Sequence, residues 1–149
     1  MTVDAVCTRD VATVRPSDAL LDVARVMRDR HVGDVVVVGD GEGRRPIGIL
    51  TDRDIVVGIV AVTPDKLEML RVEDVMNREL ATVKSSAALD AALRTMRERG
   101  VRRLPVVGAD GRLAGIVTFD DLVAALAREL GDLATVVVRE RQREERVRV

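Results

Sequence analysis

Apolar and polar positions change period in a fixed order along the chain, and the order is run through twice. Residues 11–14 form a short apolar stretch that predicts a strand. Leu20, Val23, Ala24 and Met27 then recur at spacings of three and four, which predicts a helix over 18–30 with Ser17 as its N-cap. Val35-Val36-Val37-Val38 is a continuous apolar run, suited to a strand buried on both faces. Gly-Asp-Gly-Glu-Gly at 39–43 predicts a hairpin turn, residues 47–51 a further strand, and a helix opens near Asp52. The second pass repeats this: a strand around Ala81-Thr82-Val83, a helix after Ser86 carrying Leu89, Ala92, Leu93 and Met96, then two more strands and a helix. Each unit reads β-α-β-β-α. His31 and Gly100 sit at matching helix ends, where tolerance of the left-handed conformation is favoured. Between the units, Thr63-Pro64 predicts an N-cap followed by proline at the first helical position, starting a short linker helix through Leu70.

The two passes align residue by residue. Thr13 pairs with Thr82, Leu20 with Leu89, Met27 with Met96 and Val37-Val38-Gly39 with Val106-Val107-Gly108, an offset of 69 throughout. After the turn the offset falls to 67, because the first copy has a turn two residues longer. At that offset Gly48-Ile49-Leu50-Thr51-Asp52-Arg53-Asp54 meets Gly115-Ile116-Val117-Thr118-Phe119-Asp120-Asp121. A strand that ends in Thr and opens a helix with Asp three residues later sets a hydroxyl and a carboxylate beside free backbone N–H groups. That is chemistry for holding a ribose and a phosphate.

Composition narrows the class. The chain has 149 residues, 47% of them hydrophobic, with Phe119 as its single aromatic. Without Trp or Tyr it offers no stacking platform for single-stranded nucleic acid. With 24 basic against 25 acidic side chains, net charge gives no long-range pull toward nucleic acid or anionic lipid. One cysteine excludes an intramolecular disulfide, and one histidine excludes a zinc site built from Cys and His. The first residues lack a signal-peptide layout, and the longest apolar run (55–62) is far short of the ~20 residues of a membrane span. A cytoplasmic location is expected.

The duplicated pattern resembles a tandem pair of CBS domains (cystathionine-β-synthase-type), the adenosine-nucleotide-sensing Bateman module, over residues 1 to about 130. The resemblance implies an α/β (α+β) fold of two β-α-β-β-α repeats packed about a pseudo-twofold axis, with a C-terminal helical extension. The expected spans are 1–62 for repeat 1, 63–71 for the linker helix, 72–130 for repeat 2 and 131–149 for the extension. It further implies that Thr51 and Thr118 contact phosphate or ribose, and that Asp54 and Asp121 contact the ribose hydroxyls. The base would lie against main chain around Thr13-Val14 or Thr82-Val83. Apolar walls would come from Val35–Val37 and from Leu104, Pro105 and Val106. Arg102 and Arg103, which replace Gly33 and Asp34 of the first copy, would reach phosphates. The Thr51/Asp54 cleft, with these arginines opposite, is therefore expected to outbind a Thr118/Asp121 cleft facing Asp34.

Several chemical readings lose to structural ones. The four aspartates at the helix starts suit caps better than a protein-only metal site; Mg²⁺ carried in with a nucleotide is the better route to a cation. The 39–43 glycines open no helix, so a hairpin turn outweighs a phosphate loop. Cys7 aligns with Met76 and reads as buried filler. In the last segment Leu122, Leu126, Leu130, Leu133 and Val137 continue a helical stripe, interrupted at Gly131, where a break or bend is expected. That stripe, with Val136-Val137-Val138, suggests packing against a second subunit. The expected function is a non-catalytic regulatory module that binds AMP, ADP or ATP (NAD(H) and S-adenosylmethionine being further adenosine ligands), acting as a homodimer on a separate protein partner. The alternative is an interaction module working through its C-terminal helix with empty clefts. An enzyme is the third class, and no nucleophile–base constellation supports it.

Overall fold

The computed structural model describes residues 1–41 and 43–148. Glu42, in the expected 39–43 turn, and Val149, the end of the expected extension, lie outside the described residues. Repeat 1 contains β1 (Thr13–Val14), α1 (Leu20–Arg30), β2 (Asp34–Val38), β3 (Pro46–Thr51) and α2 (Asp52–Ile55). A second short helix, α3 (Val72–Val75), leads into repeat 2, which contains β4 (Val83–Lys84), α4 (Leu89–Arg99), β5 (Arg103–Val107), β6 (Leu113–Thr118) and α5 (Phe119–Val147). Each repeat builds a three-stranded sheet with its middle strand parallel to the first and antiparallel to the third. Both hairpins carry a register shift at the same place, between Val37 and Val38 and between Val106 and Val107. The duplication therefore extends to its irregularities.

The lead-ins cross over. The amide of Val3 donates to the Ala87 carbonyl at 2.8 Å and that of Asp4 to the Ser85 carbonyl at 2.9 Å, both in repeat 2. Their counterparts do the reverse: Val72 donates to the Asp18 carbonyl at 3.0 Å and Glu73 to the Pro16 carbonyl at 2.9 Å, both in repeat 1. Val3 is fully buried in the core around Leu104 and Val117, while Val72 and Met76 are buried in the core around Leu20, Val35 and Leu50. Beyond each lead-in the chain crosses the other repeat's last strand, Thr8 against Ile116 and Asn77 against Ile49, and adds a fourth strand position. The motif glycines face these crossings. A Cβ on Gly48 would stand 2.9 Å from the Asn77 carbonyl oxygen, and one on Gly115 would stand 2.7 Å from that of Thr8. The glycine that opens each motif thus has a packing role: it lets a foreign backbone lie on the strand.

Several element boundaries differ from the sequence reading. α1 starts at Leu20 behind Ala19, so Ser17 is not its cap. Asp18 instead accepts from the Arg15 amide at 2.8 Å, which closes a turn, and the chain stays extended through Ala19, where it bridges Arg71. The Leu20 amide is satisfied by the Leu70 carbonyl of the linker. α4 likewise begins behind Ala88, which bridges Thr2, and not after Ser86. On α4, Ala92 and Met96 are buried but Leu93 is exposed. The linker holds only a 3₁₀ turn over Pro64–Lys66, and the Thr63 side chain caps nothing. His31 and Gly100 do adopt left-handed backbone, φ 54° and 65°.

The last helices of the two repeats part company. α2 gives way after four residues to a π-helical turn over Val56–Val60, where the Ala61 amide reaches back to the Val56 carbonyl. A run of β-branched residues around Gly58 is a weak helix former. α5 continues unbroken for 29 residues, through Gly131. The expected break is absent: the glycine costs about 1 kcal/mol, and the helix formers on either side outweigh it.

Candidate functional site

Thr51 ends β3 and caps α2. Its hydroxyl accepts from the Asp54 amide at 3.1 Å, and Asp54 Oδ2 accepts from the Thr51 amide at 2.9 Å, a reciprocal capping box. Thr118 and Asp121 repeat the box at the head of α5, at 3.2 and 2.8 Å. One detail breaks the symmetry. The Thr118 hydroxyl also donates to Asp121 Oδ2 at 2.8 Å, so its proton is committed, whereas the Thr51 hydroxyl makes no such donation. The Thr51 hydroxyl proton remains available to an oxygen arriving from outside.

The helix starts are less open than their sequence suggests. The Asp52 amide donates to the Gly33 carbonyl at 2.9 Å, the Arg53 amide to Asp52 Oδ1 at 2.7 Å and the Asp54 amide to Thr51. In repeat 2 the Phe119 amide donates to the Arg102 carbonyl at 2.7 Å. The N–H groups expected to be free beside Thr51-x-x-Asp54 are thus already used, and anion binding there must come from side chains.

Those side chains converge across the repeat boundary. A cleft of about 600 Å³ is lined by Thr51, Asp52, Arg53 and Asp54 from repeat 1 together with Gly100, Val101, Arg102 and Arg103 from repeat 2; Ile49 and Asn77, which bridge where the lead-in crosses, line it too. Pockets of ~300–1,000 Å³ hold small molecules of nucleotide size. Arg102 lies 3.4 Å from Asp120 and 4.8 Å over the Phe119 ring. Arg103 pairs with Asp34 at 3.2 Å. These residues, 34 and 103, occupy the same position in the two repeats. Equivalent positions can meet only on the axis that relates the repeats, so the ion pair marks the pseudo-twofold. Asp34 Oδ2 is shut off from solvent, and among the described residues its one partner is this guanidinium, held as an ion pair and not as an aligned hydrogen bond.

Other expected residues lie elsewhere. Val35, Leu104 and Pro105 are fully buried, so their side chains fill the cores instead of walling the cleft. A middle strand covered on both faces has no side chain to spare for a ligand. Thr13, Val14 and Val83 pair with Val36, Val37 and Val106, and Thr82 is exposed just before β4; none of the four lines the cleft. Asn77 and Ile49 were not singled out by sequence. The signal for Asn77 was its alignment with Thr8, the only clue that both cross a motif glycine. Among the described residues no cluster of three or more His, Cys, Asp or Glu could hold a metal ion. Cys7 is half-buried against the second core, and burial pushes its thiol pKa up, with Arg9 partly opposing.

Two β-α-β-β-α units that exchange lead-ins and share a cross-repeat cleft define a tandem-repeat α/β module. The chain belongs to the CBS-domain family, whose profile matches residues 3–61 and 72–128. It is 36% identical to the CBS domain-containing protein YhcV of Bacillus subtilis over 77% of this chain and 78% of that one. It is 35% identical to an uncharacterised protein of Methanopyrus kandleri over 83% of its length, and so spans 61% of that relative. Among solved structures, the CBS-pair protein CBSX2 of Arabidopsis thaliana in complex with AMP superposes with TM-score 0.71 at 28% identity, covering 85% of this chain and 96% of that one. No described helix is long and apolar enough to cross a membrane.

Proposed function

We propose that this chain is a non-catalytic regulatory module that binds an adenosine nucleotide (AMP, ADP or ATP) in the cleft between Thr51/Asp54 and Arg102/Arg103. The observation that carries the reading is the convergence, in one 600 Å³ cleft, of a hydroxyl, a carboxylate and two arginines drawn from different repeats. Asp54 Oδ2 is held by the capping box, which leaves Oδ1 to accept from ribose hydroxyls. The Thr51 hydroxyl donates to a phosphate oxygen. Arg102 turns from Asp120 toward the phosphates, while Arg103 keeps Asp34 as its partner and offers its remaining N–H donors. Exposed ion pairs such as Arg102 with Asp120 contribute only ~0–1 kcal/mol, so exchanging that partner costs little. The AMP complex of CBSX2 supports the ligand class.

The Thr118/Asp121 site is the weaker one, since its threonine proton is spent and its cross-axis neighbour is Asp34, not an arginine. Nucleotide draws the two repeats together across the axis. In a homodimer that motion alters how copies sit against each other, and a separate protein partner reads the change. Such a signal requires the ligand to prefer one arrangement. Thermal-shift titration with adenosine, AMP, ADP, ATP, NAD⁺ and S-adenosylmethionine tests the reading. At a hundred times Kd a ligand adds about 2.7 kcal/mol, several degrees in Tm. No shift with any of the six would favour the interaction-module reading instead.

A further inference from the structure

α5 outgrows the repeat that starts it. At about 1.5 Å per residue its 29 residues run on well past Leu122 and Ala125, its two buried positions. Along its side lie Phe119, Val123, Leu126, Leu130, Leu133 and Val137, all of them between 36% and 66% exposed. Their spacing is four, three, four, three, four. That is the alternation of a coiled-coil seam, and it is set to one side of the face that packs on repeat 2. The stripe is neither core nor random surface apolarity, which would not keep a 3.5-residue period over nineteen residues.

We infer that α5 pairs in antiparallel orientation with the α5 of a second copy of this chain, an inference that specifies, and rests on, the homodimer read above. Charge decides the orientation. Up to Thr135 the helix carries Asp120, Asp121, Glu129 and Asp132 against Arg128 alone, whereas beyond it Arg139, Arg141, Arg143 and Arg146 outnumber Glu140, Glu144 and Glu145. Parallel pairing sets the acidic halves side by side. Antiparallel pairing brings each basic tail toward the partner's acidic helix start. The register that places Leu126 on the partner's Leu130, Val123 on the partner's Leu133 and Phe119 on the partner's Val137 covers every seam residue with an apolar one. It also alternates the two seam positions across each layer, as antiparallel coiled coils do. The seam is under three heptads long, short for an isolated coiled coil, but both helices are anchored at their heads in folded repeats. None of the seam residues lines the nucleotide cleft, although Phe119 lies under Arg102, and the pairing ties the orientation of two clefts to one helix pair.

Light scattering on the eluting full-length protein is the first test. Wild type is expected at twice 16.2 kDa and Leu130→Glu/Leu133→Glu at 16.2 kDa. Both positions are exposed in the protomer, so unchanged far-UV circular dichroism will certify the fold. Orientation is read from oxidative cross-linking in a Cys7→Ser background. Chains carrying Leu126→Cys mixed with chains carrying Leu130→Cys are expected to cross-link, and either alone to remain uncross-linked. Cross-linking of each variant with itself shows a parallel pair and overturns the orientation. A double-glutamate variant that stays dimeric overturns the α5 interface and leaves the homodimer standing, whereas a monomeric wild type overturns both.

Discussion

Replacing Gly48 with alanine tests whether the exchanged lead-ins hold the repeats together. The new methyl would stand 2.9 Å from the Asn77 carbonyl oxygen and 3.1 Å from Met76 Sδ. The sulfur is the end of a flexible side chain and can swing aside, but the carbonyl is backbone, fixed by the bonds between Ile49 and Asn77 at 3.2 and 3.0 Å. Overpacking of this kind costs about 1–3 kcal/mol. If the crossing strand is pushed off, each lost hydrogen bond adds about 0.5–1.5 kcal/mol. Alanine's smaller unfolded-state entropy returns about 0.4–1 kcal/mol. The expected net loss is about 1–4 kcal/mol, a fall in Tm of roughly 2–4 °C for each kcal/mol. With no tryptophan in the chain, urea unfolding followed by far-UV circular dichroism is the suitable assay. Gly131→Ala is the control: nothing beyond its chain neighbours and its own helix backbone lies within 4 Å of the new methyl and the site is mid-helix, so a gain of about 0.5–1 kcal/mol is expected. A Gly48→Ala protein as stable as wild type would refute the role assigned to the crossing.

Two more outcomes follow from the axis and the lone thiol. Arg103→Ala strips the one partner from Asp34 Oδ2 and is expected to destabilise by about 1–3 kcal/mol; adding Asp34→Ala should recover part of that, and strictly additive losses in the double-mutant cycle would show the pair to be uncoupled. Because burial raises the Cys7 pKa, its thiolate fraction at a given pH lies below that of a free thiol. Iodoacetamide should therefore alkylate Cys7 more slowly than it does an unstructured cysteine peptide, with the rate still climbing above the ordinary thiol pKa, and equal rates would contradict the assignment.

The repeat order, the left-handed helix ends and the Thr-x-x-Asp boxes were legible because each has a local cause: a period, a cap, a residue that tolerates positive φ. What sequence hid was mostly long-range. Ser17 looks like a cap, but the Leu70 carbonyl takes the first amide of α1, and local pattern cannot see a partner fifty residues away. Gly48 and Gly115 stand next to the Thr-x-x-Asp residues in sequence, but their role is to admit a crossing backbone. The family resemblance points Val35 and Leu104 to the cleft, yet the apolar runs that identify their strands put them in the cores. The arginines were found by the failure of the duplication: where Arg103 faces Asp34, two copies of one position have taken opposite charges on their shared axis.

The central claim is that adenosine nucleotide binds across the axis, better at Thr51/Asp54 than at Thr118/Asp121. Isothermal titration calorimetry with AMP on wild type, Asp54→Asn and Asp121→Asn tests it most directly, because asparagine keeps an oxygen for the capping box while removing the charge that the ribose hydroxyls meet. Asp54→Asn is expected to weaken the tighter binding event at least tenfold, about 1.4 kcal/mol, and Asp121→Asn to leave that event unchanged. Equal losses in the two variants, or none in either, would contradict the account.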